Sequence, residues 1–138
     1  MLTKHIHSFL TPTIILLLFC CSSHVFGQKS KNFNDPNADE LLNLSIQSIN
    51  ALEIDKGLNY AEDLLNYSLK IKNHYFISKA YNQIAICNEE LNDLKKAEIY
   101  YLKAIDYAKL TNDNILLNYV YTNIANLYYF IKLITKKQ

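Results

Sequence analysis

The chain has 138 residues, half of them apolar, with 14 basic residues against 13 acidic ones and a formal charge of +1 at pH 7, which is enough chain for one domain whose elements share a single core. Every basic residue is lysine, and a nearly neutral protein without arginine forks is a poor partner for nucleic acid. Glycine and proline are scarce, no Gly-rich phosphate loop occurs, and no stretch alternates as a strand would, so an all-α fold is predicted.

Residues 1–27 have the three-part layout of a secretory signal peptide. Lys4 comes early, an apolar run extends from Ile14 to Cys21, and a short polar stretch leads to Val25, Phe26 and Gly27. Cleavage after Gly27 and an exported product, periplasmic or secreted, are expected. The run is shorter than the roughly 20 residues that span a bilayer. An uncleaved anchor is the alternative, as is a lipid on Cys20 or Cys21, although bulky Phe19 stands where a small residue is needed. Cleavage would leave Cys87 and His74 as the only cysteine and histidine. One of each makes neither an internal disulfide nor an ordinary metal site, and no metal or cofactor is expected.

Residues 28–37, "QKSKNFNDPN", are polar and read as a flexible lead-in. The first helix is expected after it, capped by Asn37 or Asp39. From residue 38 to 138 the chain repeats itself. Tyr81, Ile84 and Ala85 return forty residues on as Tyr121, Ile124 and Ala125. The other half of the unit keeps the same step: Gly57, Tyr60, Ala61 and Leu64 align with Ala97, Tyr100, Tyr101 and Ala104. Polar breaks coincide as well, Lys72-Asn73 with Asn112-Asp113, and Asn92-Asp93 marks a turn inside the unit. Each unit is therefore two helices and two turns, about 38–77, 78–117 and an incomplete 118–138. Such a unit cannot bury its own apolar face and must stack on its neighbours. Ala97, Tyr101 and Ala104 form one stripe, in which small residues admit a close neighbour and the ring fills the space between them.

At these residues the sequence resembles the tetratricopeptide repeat (TPR) family. Tyr81, Ile84-Ala85, Ala97, Tyr101 and Ala104 fall at the intervals of its signature, and Tyr121, Ile124-Ala125 and Tyr128 begin it again. Asn88, Lys109 and Gly57 depart from it, standing where an aromatic, a proline and an alanine are usual. The resemblance implies a right-handed α-solenoid of stacked antiparallel helix pairs, about two and a half repeats long. Family units are about 34 residues, so a step of forty implies longer helices or longer connections.

The resemblance also implies that the first helix of each unit lines an inner surface that holds a peptide or a partner protein. The residues offset from the core stripe are Lys79, Asn82, Ile86 and Glu89, and one step on Tyr119, Thr122, Asn126 and Tyr129. A groove of asparagine, aromatic rings and a few charges suits an extended peptide or a helix. The lysine-and-asparagine pattern with which some members of the family hold a C-terminal carboxylate is not reproduced. Catalysis finds little support. Glu89-Glu90 and Glu62-Asp63 are adjacent pairs that diverge around a helix, and Cys87 and His74 are expected on different segments, Cys87 as a buried structural residue. The last element, with Leu127, Tyr128, Phe130, Ile131, Leu133 and Ile134, is apolar almost all round. Such an end fits either a piece of a longer repeat protein, such as the sensory input segment of a signalling protein, or a surface that docks on another subunit or on a membrane protein.

Overall fold

The computed structural model describes residues 34–136. The expected signal peptide, with Cys20 and Cys21, and residues 28–33 of the lead-in lie outside the described residues. Five helices follow in order: α1 (Pro36–Asn50), α2 (Ile54–Lys70), α3 (His74–Glu90), α4 (Leu94–Lys109) and α5 (Asn114–Thr135). No strand occurs among the described residues. The predicted all-α class is what is found.

Four of the five helices start where a side chain can satisfy unpaired N–H groups; α2 follows Glu53, which makes no side-chain cap. Asp35 accepts from the backbone N–H of Asn37 and Ala38, Asn73 from Tyr75 and Phe76, Asp93 from Lys96, and Asp113 from Ile115 and Leu116. Asp35 corrects the expectation that Asn37 or Asp39 would cap α1. Pro36 is the first helical residue, where its missing N–H is of no consequence and its fixed φ is already helical. An Asp-Pro pair in a polar stretch was thus a helix start within the expected lead-in.

The helices end on a repeated device. Leu52, Lys72, Asn92 and Asn112 adopt φ of 61°, 54°, 60° and 56°, spaced twenty residues apart. At the first three, the N–H of the left-handed residue donates to the carbonyl three residues back, and the next N–H donates to the carbonyl five back, as in Glu53 to Ser48, Asn73 to Ser68 and Asp93 to Asn88. These are Schellman closures. The residue that completes each one is also the N-cap of the following helix. Connections are consequently only three or four residues long, and the step of forty comes from helices of 15 to 17 residues in α1 to α4.

Packing follows the same period. Every helix packs on its neighbour in sequence, α1 also meets α3, α3 also meets α5, and α2 and α4 do not meet. The odd-numbered helices therefore share one side. α3, the middle one, is covered on two faces. Its residues Ser78, Asn82, Ala85 and Asn88 are buried, and their equivalents forty residues earlier, Ala38, Leu42, Ser45 and Ser48, are the buried residues of α1. Its residues Phe76, Ala80, Ile84 and Cys87 are also buried, and their equivalents forty residues later, Leu116, Val120, Ile124 and Leu127, are the buried residues of α5. Each outer helix thus keeps one of the two faces that α3 uses.

Small residues set the helix spacing. Ser45 Oγ donates to the Gly57 carbonyl at 2.9 Å, and Ser78 Oγ to the Ala104 carbonyl at 2.8 Å. Ala97, Ala104 and Ala108 are buried around Tyr101 in one core, with Ala85 from α3 and Leu116, Val120, Ile124 and Leu127 from α5. A second core joins Ala38, Leu42, Leu64, Phe76 and Ala80. The predicted stripe of alanines around a tyrosine is thus the contact surface of α4.

Candidate functional site

The side shared by α1, α3 and α5 is the surface expected to meet a partner. Positions one step apart run across it as Asp39, Lys79 and Tyr119, and as Ile46, Ile86 and Asn126. Lys79 occupies its centre. Its ammonium lies 4.5 Å from the ring centroid of Tyr119 and 5.7 Å from that of Tyr75, distances at which a cation is attracted to a ring face. Burial pushes its pKa below the ordinary lysine value, while the charge of Asp113 acts the other way. Burial likewise raises the phenol of Tyr75. Lys79 is therefore a partly desolvated cation held by two rings, and α3 and α5 must both be in place to build that setting.

The eight predicted contact residues divide three ways. Lys79, Tyr119 and Asn126 reach this shared side: Tyr119 and Asn126 are exposed, and a spacing of seven puts them on one helix face. Asn82 and Glu89 serve packing instead, and Ile86 does so in part. Asn82 is fully buried, where its Oδ1 accepts from Asn123 Nδ2 at 2.8 Å. Its own Nδ2 is buried without an acceptor. This corrects its assignment to an open groove, because helix α5 closes over it. Ile86 is half-buried against the larger core, and Glu89 Oε2 accepts from Tyr101 Oη at 2.9 Å. Thr122 and Tyr129 are exposed on α5 but turn away from Tyr119, towards the face that α3 presents to α4 and α5 leaves open.

Two further groups lie outside the eight predicted contact residues, and the first was not singled out from sequence. Between α3 and α4, Tyr81 lies 6.0 Å from the ring of Tyr100 and 5.7 Å from that of Tyr107, with Lys103 over both Tyr81 and Tyr100. Tyr107 in turn lies 5.9 Å from His74. The signal was present as tyrosines at helical spacing, but which rings meet depends on the crossing of two helices. The second group is the open face of α5, part of the apolar last element expected from sequence, where Tyr128 Oη donates to Glu98 at 2.7 Å while its ring stays exposed.

Cys87 and His74 lie on one helix, α3, and not on separate segments as expected. Thirteen residues separate them, about 20 Å along the axis, so they cannot act together. Cys87 is fully buried, and burial pushes its thiol up to about 11; a neutral thiol is a weak nucleophile. Among the described residues, no three His, Cys, Asp or Glu side chains gather as a metal site would need, and no helix is long and apolar enough to cross a membrane. Comparison with protein-family models, curated proteins and solved structures finds no match to the chain.

Proposed function

We propose that the protein is an exported, TPR-type interaction module that binds a peptide or a segment of a partner protein on its inner surface, without catalysis. One observation carries this assignment. The odd-numbered helices meet one another while α2 and α4 do not, so one side of the helix row is a continuous surface built from equivalent positions of successive units. In repeat proteins, surfaces of that kind are the ones partners use. On it, Lys79 is fixed between Tyr75 and Tyr119, and a cation already ordered by rings loses little freedom when a ligand arrives. Ile46, 37% exposed, and Asn126 flank it with an apolar and a hydrogen-bonding contact. A chain segment lying across α1, α3 and α5 would meet these chemistries in turn.

The test is selection of a displayed random-peptide library on the full chain, followed by binding of enriched clones to Tyr119→Ala and Lys79→Ala. Enriched clones should lose about tenfold in affinity on either variant, the effect of removing one well-placed contact. Clones that bind both variants as tightly as the parent would remove the inner surface from the assignment. Absence of any enrichment would remove peptide binding itself.

A further inference from the structure

We propose that the open face of α5 pairs with the same face of a second copy of the chain, antiparallel, about a two-fold axis at Ala125. The face is defined by comparison within the molecule. On α3 the equivalent positions are closed by α4, an antiparallel helix: Ser78 donates to Ala104, and Tyr81 stacks on Tyr100 and lies tilted against Tyr107. On α5 those positions are Asn118 and Tyr121, with Ala125 and Tyr128 further along, and all are exposed. Tyr121, Tyr128 and Tyr129 leave 43%, 45% and 65% of their surface open. Tyr121 is thus the counterpart of a ring that elsewhere in the same fold lies against other rings.

The two ends of the helix row identify the occupant. The face that α1 leaves uncovered carries Glu40, Asn43 and Gln47, all exposed, around half-buried Leu44. Pressing it on the aromatic face of α5 would take a carboxylate and two amides out of water against rings and phenol hydroxyls that replace only part of their hydrogen bonds. Head-to-tail stacking is therefore disfavoured, whereas a two-fold contact sets aromatic against aromatic. With Ala125 on the axis, the smallest side chain of the face sits where the helices cross. Tyr121 then falls opposite Tyr129 of the second copy and supplies the ring partner each lacks. Charge agrees with this direction: Asp113 caps the start of α5, Lys132 and Lys136 lie at its end, and no carboxylate lies within it. Antiparallel pairing brings the Asp113 end of each copy beside Lys136 of the other and opposes the helix dipoles. A 22-residue helix is about 33 Å long. A stripe two side chains wide along it buries on the order of 600 Å² per copy, at the low end for a specific interface, and gives a dimer that dissociates at about micromolar concentration.

Pairing uses Ala125 and its flanking rings, while the inner surface uses Lys79 and Tyr119, so variants separate the two proposals. Sedimentation velocity of the full chain over the micromolar range should show a monomer–dimer equilibrium. Ala125→Glu, which sets two carboxylates face to face on the axis, should abolish the dimer with the helical circular dichroism unchanged. Independently, Ala125→Cys in a Cys20→Ser, Cys21→Ser background should form a disulfide-linked dimer on mild oxidation, whereas Ile99→Cys, exposed on α4, should not. A chain that stays monomeric throughout would overturn the proposal. So would a dimer that survives Ala125→Glu, equal cross-linking at positions 99 and 125, or a dimer lost only on deletion of Ile14–Cys21. Should Ala125→Glu fail to fold, the cysteine pair decides.

Discussion

Gly57 offers the sharpest test of the packing between α1 and α2. A Cβ at this position would lie 2.7 Å from Ile49 Cγ1, 3.3 Å from the Ile49 backbone N and 3.4 Å from the Ser45 carbonyl oxygen. The first distance is a clash with a side chain branched at Cβ, held in place by its own helix. Two effects therefore oppose each other in Gly57→Ala. Helix propensity and the smaller entropy of the unfolded chain favour alanine by about 1 kcal/mol. Overpacking costs about 2 kcal/mol, so the net is a loss of about 1 kcal/mol, or roughly 4–8 °C in melting temperature for a unit of this size. One step on, the equivalents of Gly57 and Ile49 are Ala97, fully buried, and Glu89, which has no branch at Cβ. The same fold thus admits a methyl group there once the facing residue allows it. Removing the obstruction should accordingly reverse the sign: in an Ile49→Ala background, Gly57→Ala should stabilise by about 1 kcal/mol, a coupling of about 2 kcal/mol. Urea unfolding of the four proteins, followed by circular dichroism, measures the cycle. If Gly57→Ala stabilises the parent chain, or its effect is the same in both backgrounds, the contact does not govern this position.

The left-handed closures give a second expectation: Leu52→Gly should raise stability by about 1 kcal/mol, because φ of 61° is unfavourable for leucine and free for glycine, and Asn112→Gly should gain less because asparagine tolerates that region. Both are read from the urea midpoint. Asp113→Ala should cost about 1 kcal/mol by releasing the N–H groups of Ile115 and Leu116, while Asp113→Asn should be nearly neutral. Alkaline pH provides another test. Burial holds the Cys87 thiol at about 11, above its ordinary 9.0, so the fold retains a proton that the unfolded chain releases. That contribution is complete below pH 9 and is lost as pH rises through about 11. Tyr101, raised first by burial and then by the charge of Glu89, acts in the same direction from about pH 10 upward. Urea midpoints should fall across this range, and Cys87→Ala should flatten the earlier part of the decline.

Ala97, Tyr101 and Ala104 illustrate what could be read without coordinates. Their spacing places them on one stripe of one helix, and their recurrence at forty residues marks the unit, since a chain with little glycine and no alternating pattern buries its apolar residues through helices. The candidate surface was less legible. Asn82 and Tyr119 looked equivalent as polar and aromatic positions beside a core stripe, yet one is sealed under α5 and the other is open. Exposure depends on which helices lie two places away in the chain, and a helical period describes only one helix at a time.

Helix type, unit length and the alanine stripe were determined locally, by residues that interact within about four positions of each other. Tertiary structure alone decided the rest. The twenty-residue rhythm of the closures was hidden because Leu52, Lys72, Asn92 and Asn112 share a backbone conformation and no side-chain type. Hydrogen bonds between main-chain groups impose that conformation, and main-chain groups are the same at every position. In the same way, the sequence shows α5 to be the most apolar of the helices, but only the order of packing decides that Glu40, Asn43 and Gln47 lie on the uncovered face of α1 and the tyrosines on that of α5.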